Sequence, residues 1–218
     1  MISFLQISLT SNCNLSCWHC PMAKYRNSMS PDYALTNARL VPWIEKYIPS
    51  SDWIIELTGG EPALYQGIDE LCEWLSSNHY RTLVKTNGML KITPRPSVIR
   101  VAAFHQLENP PKFFDKILIV DKIQRVEKED YCRKMGYSYQ IIGFNDEVID
   151  STRHGFTWTA YIDPHGHPVA CKNRKIKFTD WPDRYAIEYM GLKKTLCCAD
   201  CKAAIDAWRF LPDSWKTK

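Results

Sequence analysis

The chain has 218 residues, 45% hydrophobic and 24% charged, enough to bury a full core and free of low-complexity tracts. No apolar run approaches the roughly 18–20 residues that span a bilayer, and the opening MISFLQISLT has neither a basic start nor a small-residue cleavage site. The expectation is a cytoplasmic protein with no membrane partner, and a net charge of +4 neither requires nor excludes a polyanionic one.

Nine cysteines in such a chain read as metal ligands, because cytosolic thiols stay reduced and do not form a disulfide framework. They cluster at Cys13, Cys17 and Cys20 and again at Cys197, Cys198 and Cys201, with Cys171 between.

Residues 2–9 alternate, Leu5, Ile7 and Leu9 against Gln6 and Ser8, which predicts a strand leading directly into the first cysteine group. Ser30-Pro31 reads as a helix start, a cap followed by proline at the first helical position. That helix is expected to run to about residue 48 with a kink at Pro42. Trp53–Thr58 is a short apolar strand ending in Gly59-Gly60. Ile68, Leu71, Cys72 and Leu75 then recur at helical spacing, which places Cys72 in the core. Further strands are expected at 81–86, 98–104, 116–120 and 138–143, with a polar helix over about 122–135 that carries Cys132 and stops at Gly136. Helices thus follow the first, second and fifth of six strands, and the connections after the third and fourth, about a dozen residues each, are near the minimum for a parallel crossover. Such an order predicts an α/β fold with a parallel sheet and function at the carboxyl ends of its strands.

Beyond residue 150 the texture changes. Phe156–Ile162 and His167–Cys171 flank the turn Asp163-Pro-His-Gly166, predicting a hairpin, and a short Ala-rich helix over about 199–210 accompanies the last cysteines. The expected division is a core domain over 1–150 and a small appended domain over 151–218, poor enough in core for a metal to staple it. The basic stretch 172–177 reads as a solvated face or, alternatively, as a substrate contact.

Cys13-Asn-Leu-Ser-Cys17-Trp-His-Cys20 supplies three thiolates. They satisfy three irons of a cubane and leave the fourth open, whereas a structural zinc site closes on four ligands. The spacing Cys-x3-Cys-x2-Cys after a first strand resembles the defining motif of the radical S-adenosylmethionine (SAM) superfamily. Thr58-Gly59-Gly60-Glu61-Pro62 at the end of the second strand is similar to that superfamily's GGEP motif. The resemblance implies a partial (β/α)6 barrel, a [4Fe–4S] cluster on Cys13, Cys17 and Cys20, and SAM chelated by the open iron. It also implies an electron donor such as flavodoxin or ferredoxin and reductive cleavage of SAM to a 5′-deoxyadenosyl radical. Gly59, Gly60 and Glu61 would receive the methionine ammonium. His19 stands where the family has an aromatic residue that packs on adenine. Thr86 and Asn87, in Lys85-Thr-Asn-Gly88, resemble the family's TNG segment near SAM, and Gly143 with Phe144 resembles its IxG element beside adenine, with Asp146 as the acidic residue downstream. His105, just past the fourth strand, belongs either to the site's rim or to an ordinary loop.

Cys171, Cys197, Cys198 and Cys201 are similar to the ligands of twitch and SPASM extensions, which implies an auxiliary [4Fe–4S] cluster; a zinc knot and unligated thiols are the alternatives. His165 and His167 are read as part of the hairpin turn. Adjacent side chains diverge, so Cys197 and Cys198 either both ligate through a contorted turn or one ligates and the other is a bystander thiol, a hydrogen donor to substrate or a substrate contact. Three functions stay open at this point. The first is hydrogen abstraction from a peptide or small-metabolite substrate, although nothing resembles a leader-peptide-binding extension. The second is radical modification of a nucleobase or nucleotide, free or in nucleic acid. The third is a non-catalytic, metal-stapled binding module.

Overall fold

The computed structural model describes residues 2–17, 20, 35–48, 53–119, 124–141, 156–162, 168–169 and 215. Six strands run in chain order: β1 (Ile2–Thr10), β2 (Trp53–Gly59), β3 (Arg81–Thr86), β4 (Val98–Phe104), β5 (Lys116–Ile119) and β6 (Tyr139–Ile141). Each pairs in parallel with the next, as the alternation of strands and crossovers requires. Two more strands, β7 (Phe156–Ile162) and β8 (Pro168–Val169), form the expected antiparallel hairpin, with Tyr161 opposite Val169. The hairpin does not start a sheet of its own. β7 pairs in parallel with β1, and the eight strands form one sheet in the order β6-β5-β4-β3-β2-β1-β7-β8.

Three helices are described: α1 (Asn37–Tyr47), α2 (Ile68–Ser77) and α3 (Arg125–Lys134). They follow β1, β2 and β5. The period-2 pattern of β1 buries Leu5, Ile7 and Leu9 with Ile55, Leu57 and Val84 beneath Leu40, Trp43 and Ile44 of α1 and Leu71, Cys72 and Leu75 of α2. A second cluster sets Cys132 of α3 on Phe104, Ile117 and Ile119. Cys72 and Cys132 are both fully buried core thiols, and burial pushes the Cys72 thiol up to about 12.

The start of α1 differs from the sequence expectation. Thr36 is extended (φ −128°, ψ 155°) and the helix begins at Asn37, so no continuous helix runs from residue 31 to 48. Pro42 lies inside α1 and cannot donate to the Ala38 carbonyl. Burial of Leu40, Trp43 and Ile44, each at most 1% exposed, holds the helix through that gap. Asn37 also fixes the entry to α2: its side-chain amide donates to the Gly67 carbonyl at 2.8 Å and its side-chain oxygen accepts from the Tyr65 hydroxyl at 2.8 Å.

The sheet register divides the side chains between two faces. Gln6, Glu56 and Lys85 lie on the face opposite the α1–α2 core.

Candidate active site at the strand ends

β1, β2 and β3 end side by side, and their outgoing loops are bonded together. After β1, the Asn12 N–H returns to the Thr10 hydroxyl at 3.1 Å, and the Leu15 N–H donates to Cys13 Sγ at 3.4 Å. Leu15 is buried and anchors the loop, whereas Cys13, Cys17 and Cys20 are half-buried. The Cys20 N–H donates to the Cys17 carbonyl at 3.3 Å.

Gly59 and Gly60 bring the end of β2 against this loop. The Gly60 N–H donates to the Thr10 carbonyl and the Glu61 N–H to the Asn12 carbonyl, both at 2.7 Å. A Cβ at Gly60 would lie 2.1 Å from the Asn12 carbonyl oxygen, and one at Gly59, whose φ is +130°, 2.4 Å from the Thr10 oxygen. The two glycines therefore admit the cysteine loop's backbone, the close approach that glycine alone permits.

Glu61 then ties β2 to β3. It is 1% exposed, and one carboxylate oxygen accepts from the Thr86 hydroxyl at 2.6 Å and the Ala63 N–H at 3.0 Å. The other accepts from the Asn87 N–H at 2.7 Å. Burial raises the carboxyl above its ordinary range, and the donors from Asn87, Thr86 and Ala63 only partly offset this. Asn87 closes the circuit: its side-chain amide donates to Asn14 Oδ1 at 2.7 Å, inside the cysteine motif. Gly88 (φ +71°) extends the network, its carbonyl accepting the Lys112 and Phe113 N–H groups from the segment before β5.

The structure thus brings Gly59, Gly60, Glu61, Thr86 and Asn87 into one bonded set, tied to Asn12 and Asn14 on either side of Cys13. Asn14 joins them without having been singled out, since an asparagine within the cysteine motif carries no signal of its cross-strand partner. His105 follows β4, with its carbonyl accepting from Lys128 Nζ at 2.9 Å. His19, Gly143, Phe144, Asp146, His165, His167, Cys171, Cys197, Cys198 and Cys201 lie outside the described residues.

Among the described residues no three His, Cys, Asp or Glu side chains converge on a single metal ion. A cubane does not ask for that, because each thiolate binds a different iron. Three half-buried thiols on one loop, one already accepting an N–H bond, fit such a cluster better than a mononuclear zinc site.

A parallel α/β sheet whose first strand ends in a three-cysteine loop and whose second ends in Gly-Gly-Glu defines a class of protein, and residues 7–103 match the family model of that class, the Radical SAM superfamily. The chain is similar to the 7-carboxy-7-deazaguanine synthase of Halobacterium salinarum, 35% identical over 82 residues that make up 37% of this chain and 30% of that protein. It is similar also to the GTP 3′,8-cyclase of Aquifex aeolicus, 26% identical over 169 residues, 70% of this chain and 52% of the other. The match thus spans about half of the cyclase's length and under a third of the synthase's. Among solved structures, Streptococcus suis SuiB shares the fold at 13% identity, with a TM-score of 0.51 over 81% of this chain and 63% of that one.

Proposed function

We propose that the chain is a radical SAM enzyme acting on a guanine-type base or nucleotide. The observation that carries the first half is the bonded set at the strand ends, in which the Glu61 carboxylate joins the segment after Gly60 to Thr86 and Asn87, and Asn87 to the cysteine loop. Cys13, Cys17 and Cys20 would hold a [4Fe–4S] cluster, and the Gly59–Glu61 segment would take the ammonium of SAM's methionine part. A carboxylate offers about four acceptor sites, and three donors occupy Glu61 among the described residues. A cation beside it favours the ionised form that burial disfavours. When bound, the cluster supplies the electron that splits SAM, delivered by a donor of the flavodoxin or ferredoxin kind.

For the second half, the two curated relatives are named for a deazaguanine and for GTP, which supports the nucleotide class over the peptide class among those the sequence left open. In this reading Cys171, Cys197, Cys198 and Cys201 hold an auxiliary cluster in an appended C-terminal domain, and the protein works in the cytoplasm, where thiolates stay available as ligands. The test is an anaerobic assay of reconstituted, reduced protein with SAM and GTP, guanosine or an unrelated peptide. The expected result is 5′-deoxyadenosine formation that rises with a guanine compound and not with the peptide. Equal stimulation by all three, or by none, would count against the substrate class.

A further inference from the structure

The inner face of the sheet carries a polar group that the strand-end network does not use. Glu56 of β2 is fully buried, yet one of its oxygens accepts from the Gln6 side-chain amide of β1 and the other pairs with Lys85 Nζ of β3 at 2.9 Å. Its surroundings on the strands are apolar: Ile54, Leu83 and Val101 are each at most 1% exposed. A buried ion pair at such a place gives no stability that apolar residues would not match, so its presence asks for another explanation. Ser8, which shares the face with Gln6, adds a second sign. Its hydroxyl is buried and has no hydrogen-bond partner among the described residues.

The arrangement is asymmetric. Glu56 is fully buried between its two partners, while the Lys85 side chain stays 19% exposed, its ammonium carrying three N–H donors beside the Glu56 carboxylate at 2.9 Å. Lys85 also directly precedes Thr86 and Asn87, one strand residue, about 3.3 Å, below the segment that Glu61 holds. Alternation puts the Lys85 ammonium on the opposite face from the Thr86 hydroxyl, so a ligand that it reaches sits on that face of the sheet, near the end of β3.

Charge selects the ligand. The pair is electroneutral, and an anion seated on Lys85 Nζ would stand within about 6 Å of the Glu56 carboxylate, two hydrogen-bond lengths away. Repulsion then offsets much of the ammonium's attraction, whereas a neutral carbonyl oxygen meets no such opposition. Resting on the function proposed above, we infer that Lys85, held by Glu56 and Gln6, is the substrate-recognition residue. It donates to the ring carbonyl of a guanine-type base rather than to a phosphate.

The experiment is calorimetric titration of the anaerobically reconstituted full chain, with SAM present, by guanosine, GTP and tripolyphosphate. Wild-type protein should bind guanosine and GTP with similar affinity, and tripolyphosphate should not compete. Lys85→Met should weaken guanosine at least tenfold, the loss expected for a charged hydrogen bond, with SAM affinity unchanged in the same samples. Because Lys85→Met strands a buried carboxylate, the electroneutral Glu56→Gln/Lys85→Met double variant is measured beside it and should lose guanosine equally. Guanosine binding equal to wild type in either variant overturns the inference, as does competition by tripolyphosphate. A wild-type protein that binds SAM but no guanosine overturns it too, leaving SAM chemistry intact. Failure of wild type to bind SAM removes the proposed function itself, and the inference with it.

Discussion

The Thr86 hydroxyl donates to the buried Glu61 carboxylate at 2.6 Å, so the segment leaving β2 is fastened to the end of β3 by a side chain. The same carboxylate orders the Asn87 N–H, and Asn87 in turn reaches Asn14 of the cysteine loop. One acidic residue therefore sets the relative positions of the three loops that would surround SAM.

Glu61→Ala leaves three donors without an acceptor, at a cost of about 1–3 kcal/mol for each that stays buried. Melting should fall by several degrees, with SAM affinity at least tenfold weaker. Glu61→Gln separates charge from shape. Because the folded carboxyl is raised, the native state binds the proton more tightly than the unfolded chain. Its contribution is therefore full below 4.5, the ordinary glutamate value, and is lost as pH rises through the folded value. The advantage of wild type over Glu61→Gln should narrow with rising pH in denaturant titrations. A gap that widens would contradict the desolvated placement.

Gly60→Ala puts a methyl group 2.1 Å from the Asn12 carbonyl oxygen, which is backbone and cannot swing aside. The expected cost is about 2 kcal/mol, or roughly 4–8 °C in Tm for a chain of this size. Iron retention should fall in parallel, because the displaced backbone carries Cys13. Wild-type melting and iron content in this variant would show that the loop is not seated on Gly60.

Arg100 and Asp115 pair through Arg100 Nη2 to Asp115 Oδ1 at 2.6 Å and Nε to Oδ2 at 2.9 Å, joining β4 to the residue before β5. Burial works to raise the Asp115 carboxyl, but the hydrogen bonds and charge of Arg100 outweigh it and hold the group below 3.8. A lowered carboxyl contributes above its unfolded value and loses that contribution as pH falls through the folded one. Asp115→Asn should therefore cost about 1 kcal/mol at neutral pH, discounted for the exposure of Asp115, and nothing in strong acid. Denaturant midpoints at pH 7 and pH 2.5 measure the difference.

The second cysteine group is tested by iron. With two clusters, changing Cys13, Cys17 and Cys20 together to Ala should remove about half the iron and leave a [4Fe–4S] spectrum from the remainder. Zinc in the purified protein, or complete loss of iron in the triple variant, would contradict an auxiliary cluster.

The strands were legible because a period of two survives in short segments: all six expected runs became β1–β6, and the two segments expected to form a hairpin pair antiparallel as β7 and β8. The start of α1 was not. Thr36 makes no side-chain capping bond that would mark the boundary, and α1 begins where Leu40, Trp43 and Ile44 pack into the core. In the site, residue types announced Cys13, Gly60 and Glu61, but their contacts depend on register. Glu56 reads as one polar residue in an apolar strand, and its partners lie 50 residues before it and 29 after, across strands whose alignment the sequence does not state. Asn14 was silent for the same reason.

The most direct test of the central claim is SAM cleavage by the reduced, reconstituted protein, followed by chromatography for 5′-deoxyadenosine. Wild-type protein is expected to form it slowly without substrate. The Cys13/Cys17/Cys20→Ala variant is expected to form none, even if it retains iron at the second cysteine group. Deoxyadenosine from the triple variant at the wild-type rate, or none from a wild-type sample with a full complement of iron, would contradict the assignment of these cysteines to a radical SAM site.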